Sequence, residues 1–283
     1  MPLEVIESVQ EMQRLADIWR AKGDRIALVP TMGYFHEGHL SLIRKARDSA
    51  NIVVASIYVN PTQFGPGEDL ESYPRNLERD IKLAAEAGCD FIFVPSDDEM
   101  YPENYLTFVN VEKITAVMCG ASRPGHFKGV TTVVAKLFNI VKPHVAVFGQ
   151  KDAQQAVVIK RMARDLNYDV IIEIEPIIRE SDGLAMSSRN EYLSEKERRD
   201  APILYHALTL AEDMIRAGER RANVIKEEMK LLIEAVETSE PEYIVIVNAT
   251  TLEDLEEISG DVLVAVAVRF GKARLIDNIL IAV

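Results

Sequence analysis

The stretch RIALVPTMGYFHEGHLSLIRKARDSANIVVASIYV, residues 25–59, decides the fold. Arg25–Val29 is a short apolar run ended by Pro30 and reads as a buried strand. His39–Ala50 reads as a helix, and Asn51–Val59, rich in β-branched residues, as a second strand. Working outward, the same alternation recurs. Arg75–Gly88 is predicted helical, with Leu77, Ile81, Ala84 and Ala85 on one face and Gly88 as C-cap. Phe91–Val94 is a third strand, stopped by Pro95. Val130, Val133, Val134, Leu137, Phe138 and Val141 follow helical spacing and form one apolar stripe. His144–Phe148 is a strand, Ala153–Leu166 a helix, and Val170–Pro176 begins another strand. Strands alternating with helices predict a parallel sheet covered on both faces. Such sheets bind ligands beyond the carboxyl ends of their strands.

Near Ser181 the pattern changes. Ser194–Ala217 and Arg221–Thr238 read as two long helices, followed by strand-like runs at Tyr243–Val247, Val262–Val268 and Ala273–Asp277. Helices first and strands afterwards predict a smaller α+β domain. The boundary falls at about Ile178–Arg189, giving domains of residues 1–180 and 181–283.

Composition narrows the function. The chain has 283 residues, 48% hydrophobic and 27% charged, enough to build a sizeable core. With 32 Lys and Arg against 45 Asp and Glu, the net charge of −13 repels a phosphate backbone, so nucleic acid is not an expected partner. Cys89 and Cys119 sit in no metal-type spacing and fit a reducing cytoplasm. Met1–Arg20 has no basic region leading into an apolar one, and no apolar run approaches the ~20 residues of a membrane span, so a soluble cytoplasmic protein is expected.

Three polar clusters lie at strand ends or in loops. The first is Pro30-Thr31-Met32-Gly33-Tyr34-Phe35-His36-Glu37-Gly38-His39. His36 and His39, three apart on a first helical turn, face the same way. The free N–H groups and positive end of the helix favour a phosphate, and Gly38 lets one approach the backbone. Two imidazoles there can donate to a charge-rich transition state. Alone, the pair also fits a structural turn with two surface histidines, or a zinc site, although no third ligand stands at zinc spacing. The second cluster is Phe148-Gly149-Gln150-Lys151-Asp152-Ala153-Gln154-Gln155. Lys151 suits phosphate oxygens and Asp152 suits ribose hydroxyls, and a solvated turn fits equally. The third is Met186-Ser187-Ser188-Arg189-Asn190, where two hydroxyls and a guanidinium can wrap a polyphosphate. Helix capping by the serines is its alternative. In the link between domains it could act as a mobile loop closing over ATP.

An early HxGH and a later Ser/Lys/Arg loop together resemble the Rossmann-like HxGH nucleotidyltransferase superfamily, which includes the class I aminoacyl-tRNA synthetases. The segments PTMGYFHEGHLSLI, YVNPTQFGPGEDLESYPRNLERD, RPGHFKGVTTVVAKLFN, FGQKDAQQ and MSSRN resemble, in order, the signatures of the pantothenate synthetase (pantoate–β-alanine ligase) family. The resemblance covers the whole chain. It implies a homodimeric ligase that adenylates pantoate with ATP and magnesium, then passes the pantoyl group to β-alanine. It implies that Met32, Gly33, Tyr34, Phe35, His36, Glu37, Gly38 and His39 line the ATP site, with His36 and His39 on the phosphates and His39 as the family's acid. By the same resemblance Lys151, Ser187, Ser188 and Arg189 hold the triphosphate, with His36, His39 and Lys151 as the catalytic set. Gly149, Gln150 and Asp152 contact adenosine and ribose, Met186 borders the nucleotide, and Ile178 touches adenine through its backbone. Asn60, Gln63 and Gln155 bind pantoate, with the two glutamines converging on one ligand.

The acidic cluster around Glu78 and Asp80 resembles the region where the family helps hold its metal, which would make Asp80 a metal residue, but Arg79 interrupts the adjacent aspartates often found there. Arg123 and His126 match the family with either a loop-ordering or a catalytic role. His144 is read as a strand-edge cap, and His206 as an ordinary helical residue. The competing readings are another adenylyltransferase of the superfamily and a non-catalytic adenine-nucleotide sensor. A tRNA synthetase fragment fits less well, given the acidic balance and the lack of room for an anticodon-binding domain.

Overall fold

The computed structural model describes residues 3–283. By internal contacts the chain divides into two compact units, one running through Gly149 and including Val158–Pro176, the other comprising Gln150–Val157 and Ile177–Val283.

The first unit is a six-stranded, wholly parallel sheet. Its strands are β1 (Glu4–Ile6), β2 (Ile26–Thr31), β3 (Ile52–Ile57), β4 (Phe91–Phe93), β5 (Val145–Gly149) and β6 (Ile171–Glu175), in the order β1-β4-β3-β2-β5-β6. The helices are α1 (Val9–Ala21), α2 (Glu37–Ser49), α3 (Leu77–Glu86), the four-residue turns α4 (Asp97–Met100) and α5 (Cys119–Ser122), α6 (His126–Val141) and α7 (Ala153–Asp165), the last shared with the second unit. The central strands β2, β3 and β5 are buried on both faces, which is why they read as unbroken apolar runs. The predicted stripe of α6 is buried, and so are Gly129, Thr131 and Thr132 on its other side, so this helix is enclosed nearly all round. Strand order reverses between β2 and β5. The loops leaving the carboxyl ends of those two strands carry HxGH and GQKD, at the switch point where such sheets bind ligands.

In the second unit α8 (Glu195–Asp200), α9 (Ile203–Arg216) and α10 (Ala222–Glu234) precede an antiparallel sheet of β7 (Ser239–Asn248), β8 (Asp261–Phe270) and β9 (Ala273–Ala282). Its core joins Leu204, Leu208 and Ile215 of α9 and Ile225, Met229 and Ile233 of α10 to Val262, Val264, Val266 and Val268 of β8. The single helix expected over Ser194–Ala217 is in fact two, α8 and α9. Pro202 stands at the head of α9 and has no N–H to continue the ladder from α8.

Candidate active site

β2 ends in a turn that must reverse direction within a few residues before α2. Gly33 and Tyr34 take it through the left-handed region at φ +84° and +54°. A side chain at Gly33 would also meet Ile57 at 2.9 Å, so glycine is required there. The turn is bracketed from α3. Asp80, 1% exposed, accepts the Tyr34 and Phe35 N–H groups with its two oxygens, each at 2.7 Å. Burial pushes its carboxyl above the usual range, against the pull of those two N–H groups and of Arg79. Phe35 is fully buried and anchors the turn from below.

α2 then begins with a cap built from the two histidines. His36 Nδ1 accepts the Gly38 N–H at 3.1 Å, and His39 Nδ1 accepts the His36 N–H at 3.4 Å. Their rings lie 4.1 Å apart, centroid to centroid. With each Nδ1 accepting, a neutral ring carries its proton on Nε2, so both rings are set as Nε2–H donors. Gly38 acquires a further reason here: a Cβ would meet the His36 ring at 2.8 Å. Glu37 is exposed and pairs with Arg44.

After β3 the chain makes a 3-10 turn at Pro61–Gln63. Asn60, 1% exposed, caps it and is engaged wholly within the protein. Its Oδ1 accepts from Thr62 Oγ1 and Tyr101 Oη, each at 2.9 Å, and its Nδ2 donates to Gln63 Oε1 at 3.0 Å and to the Gly129 carbonyl at 3.2 Å. Gln63 Nε2 donates to Met32 Sδ at 3.3 Å, which brings the first motif and the NPTQF loop together. Gly129 admits this loop: a Cβ there would collide with Thr62 O and come within 2.6 Å of Gln63 N.

Arg123 and His126 act on the same turn. Arg123 forks onto Glu68 at 2.6 and 2.7 Å and meets His126 Nε2 at 3.2 Å, while His126 Nδ1 lies 2.8 Å from the Gln63 carbonyl. A guanidinium only donates and a carbonyl only accepts. The relay therefore has one sense, with Arg123 donating to Nε2 and Nδ1–H donating to Gln63. Burial raises the Glu68 carboxyl, but the hydrogen bond and charge of Arg123 outweigh it and bring the group down to about 2.

The remaining predicted residues lie in the second unit, except Gly149, which closes β5. Gln150–Asp152 form a 3-10 turn entering α7, with Lys151 half-buried, Asp152 exposed and Gln155 half-buried in the first turn of the helix. Ile178 and Met186 face each other across a tight hairpin, the Met186 N–H donating to the Ile178 carbonyl at 3.0 Å. Ser187 caps the 3-10 turn Ser188–Tyr192, accepting the Arg189 N–H at 3.3 Å, so the capping expected as an alternative does occur. Ser188 is buried and Arg189 half-buried. Lys151, Ser187, Asn190 and Asp277 line one small cavity, which joins the second and third clusters. Sequence reading missed Tyr101, Gly129, Asp277 and Asn278. The last two do stand adjacent in a strand-like run, a buried polar pair among apolar residues, which is a detectable signal.

A six-stranded parallel sheet with HxGH at its switch point and a Ser-Ser-Arg loop after it defines an enzyme of the nucleotidyltransferase-type fold. More narrowly, the chain belongs to the pantoate–β-alanine ligase family, whose model matches residues 4–280. It is 55% identical over 284 residues to a pantothenate synthetase of Acetivibrio thermocellus, covering 99% of this chain and 100% of that one. Its fold matches the crystal structure of pantothenate synthetase from Thermus thermophilus with a TM-score of 0.93 at 45% identity, covering 98% and 99% of the two chains. It also matches the Francisella tularensis pantoate–β-alanine ligase, crystallised in complex with β-γ ATP and β-alanine, with a TM-score of 0.78 at 31% identity over 98% and 97%.

Proposed function

We infer that this protein condenses pantoate with β-alanine at the expense of ATP, through a pantoyl-adenylate, releasing AMP and pyrophosphate. The observation that carries the reading is the family match along nearly the whole chain, residues 4–280. The HxGH geometry supports it independently, since a purely structural turn needs no pair of Nε2–H donors side by side.

The chemistry assigns the roles. A carboxylate is a poor acyl donor and its charge repels ATP. Pantoate must attack the α-phosphorus, forming a carboxyl O–P bond as the bond to pyrophosphate breaks. His36 and His39 donate to phosphate oxygens as charge builds, and Lys151, Ser187, Ser188 and Arg189 hold the triphosphate. Met32 to Phe35, Glu37 and Gly38 shape the nucleotide side of the turn. Gly149, Gln150, Asp152, Ile178 and Met186 attend adenosine. Gln63 and Gln155 read the acid, because an amide can accept from a hydroxyl and donate to a carboxylate. Asn60 is assigned to orienting Gln63, since the protein occupies its polar atoms. Arg123 and His126 are assigned to ordering the same loop. The β-alanine amine then attacks the acyl carbon, the C–O bond to AMP breaks, and AMP leaves.

Magnesium, implied by the family, finds no side-chain cage. Among the described residues no three His, Cys, Asp or Glu cluster. Both oxygens of Asp80 are given to backbone N–H groups, so Asp80 is assigned to bracing the HxGH turn. The ion is read as part of the Mg–ATP substrate. Homodimeric assembly and a cytoplasmic location belong to the same reading. Cys89 and Cys119 form no disulfide, which is compatible with that location. No described helix is long and apolar enough to cross a membrane.

The test is isotope exchange between pyrophosphate and ATP. It should require pantoate and proceed without β-alanine. Steady release of ADP and phosphate would contradict the reading.

A further inference from the structure

The last strand of the chain reaches both segments assigned above to the triphosphate, and it does so through two adjacent buried residues. Asp277 and Asn278 are 2% and 3% exposed, in the middle of β9. Asn278 Nδ2 donates to the Gln150 carbonyl and to the Lys151 carbonyl, each at 3.0 Å, and its Oδ1 accepts from Gln150 Nε2 at 3.3 Å. Those two carbonyls belong to the two peptide planes that flank the Lys151 Cα. Peptide planes are rigid, so holding both fixes φ and ψ of Lys151 and the direction in which its side chain leaves the backbone. A planar group with two donors and an acceptor is needed for all three bonds, which an amide supplies and a carboxylate does not.

Asp277 holds the other segment. Its carboxylate takes the Arg179 guanidinium in a fork at 2.6 and 3.0 Å, and Arg179 also donates to the Gly183 carbonyl at 3.0 Å. Arg179 sits in the hairpin whose far arm, Ala185 and Met186, runs into Ser187–Arg189. Its guanidinium packs over the Tyr205 ring at 4.3 Å, which keeps the fork from swinging. The Asn278 N–H closes the arrangement by donating to Asp277 Oδ1 at 2.8 Å.

We propose that Asp277 and Asn278 are positioning residues for the adenylation step, a rigid two-residue anchor that sets the Lys151 turn and the Ser187–Arg189 loop in register with each other. The proposal rests on the assignment of those segments to the ATP phosphates. A buried polar pair among apolar residues has a desolvation cost, and this pair offsets it with the hydrogen bonds to Gln150, Lys151 and Arg179 rather than with apolar packing.

The experiment measures pantoate-dependent pyrophosphate–ATP exchange in Asn278→Ala and in the near-isosteric Asn278→Asp, each alone and combined with Lys151→Ala, with thermal melts alongside. Either single variant should slow exchange about 10²-fold, the scale of a misplacement near 1 Å. Because Asn278 acts through Lys151, adding its variant to Lys151→Ala should cost less than about 3-fold more. A merely structural role would lower the melting temperature and multiply with Lys151→Ala. Exchange within about 2-fold of the parent in Asn278→Asp, or a full multiplicative loss in the double variant, would overturn the proposal. Parental exchange in Lys151→Ala would instead remove the phosphate assignment itself, and the anchor with it.

Discussion

Two backbone N–H groups at the head of the HxGH turn would be buried without a partner if Asp80 did not accept them. Hydrogen bonds to a charged group contribute roughly 1.5–3 kcal/mol each. Asp80→Asn keeps the shape but turns an NH2 toward one of those N–H groups. It should lower stability by about 2–3 kcal/mol and weaken ATP binding, as thermal melts and calorimetry would show. An unchanged melting temperature would mean the bracket carries no weight. At Gln63 the expected effect is selective. Gln63→Glu is nearly isosteric and places a negative charge beside a negative substrate, so pantoate affinity should fall strongly while ATP affinity holds. Equal loss of both would indicate general disruption of the fold. His39→Ala should reduce turnover about 10²–10³-fold, the usual consequence of removing one preorganised donor, whereas His206→Ala on the exposed face of α9 should be nearly silent.

Elements transmit these residue effects. α6 lies against the Pro61–Gln63 turn, and Gly129 is the point of closest approach. Gly129→Ala adds one carbon to a helix and should raise helix propensity, yet the new Cβ cannot coexist with the Thr62 carbonyl. The turn must move, and pantoate affinity should drop while the far-ultraviolet circular dichroism stays unchanged. At the edge of β2, His144 acts as the expected cap, its Nδ1 accepting the Ile26 N–H at 3.0 Å. Burial, with the charges of Arg20 and Arg25, lowers its pKa. The folded state therefore keeps the ring neutral while the unfolded chain protonates it below its ordinary value of about 6.5. Stability from this group is full above that pH and declines as pH falls from it toward the lowered folded value. His144→Gln retains an acceptor and removes the titration, so its melting temperature should fall less than the parent's between neutral and mildly acid pH. The elements that the sequence exposed were those with long buried apolar stretches, the unbroken run of β3 and the helically spaced stripe of α6. β1, three residues long and paired with β4, offers too few residues for a period. β9 extends five residues beyond the Ala273–Asp277 run because the polar Asp277–Asn278 pair interrupts the apolar pattern without ending the strand, and Ile279–Ala282 stays paired with β8.

For the whole molecule, the parallel sheet and the separate antiparallel one follow from where alternation stops, near Ser181. The segments assigned above to chemistry stand out in the sequence because they hold residue types that cores avoid: histidines after an apolar strand, Lys151 at a strand end, and Arg189 in the second unit's Ser188–Tyr192 turn. Their supports were less legible. Asp80, Gly129 and Asn278 act over sequence separations of 46, 67 and 128 residues, through contacts that no local spacing records. The central claim, that pantoate is activated as an acyl-adenylate, is tested most directly with pantoate labelled with ¹⁸O in its carboxylate. Turnover with ATP and β-alanine should place one label in AMP and none in pyrophosphate, because the attacking oxygen stays on phosphorus when the amide forms. Label in inorganic phosphate, with ADP as the nucleotide product, would contradict the account.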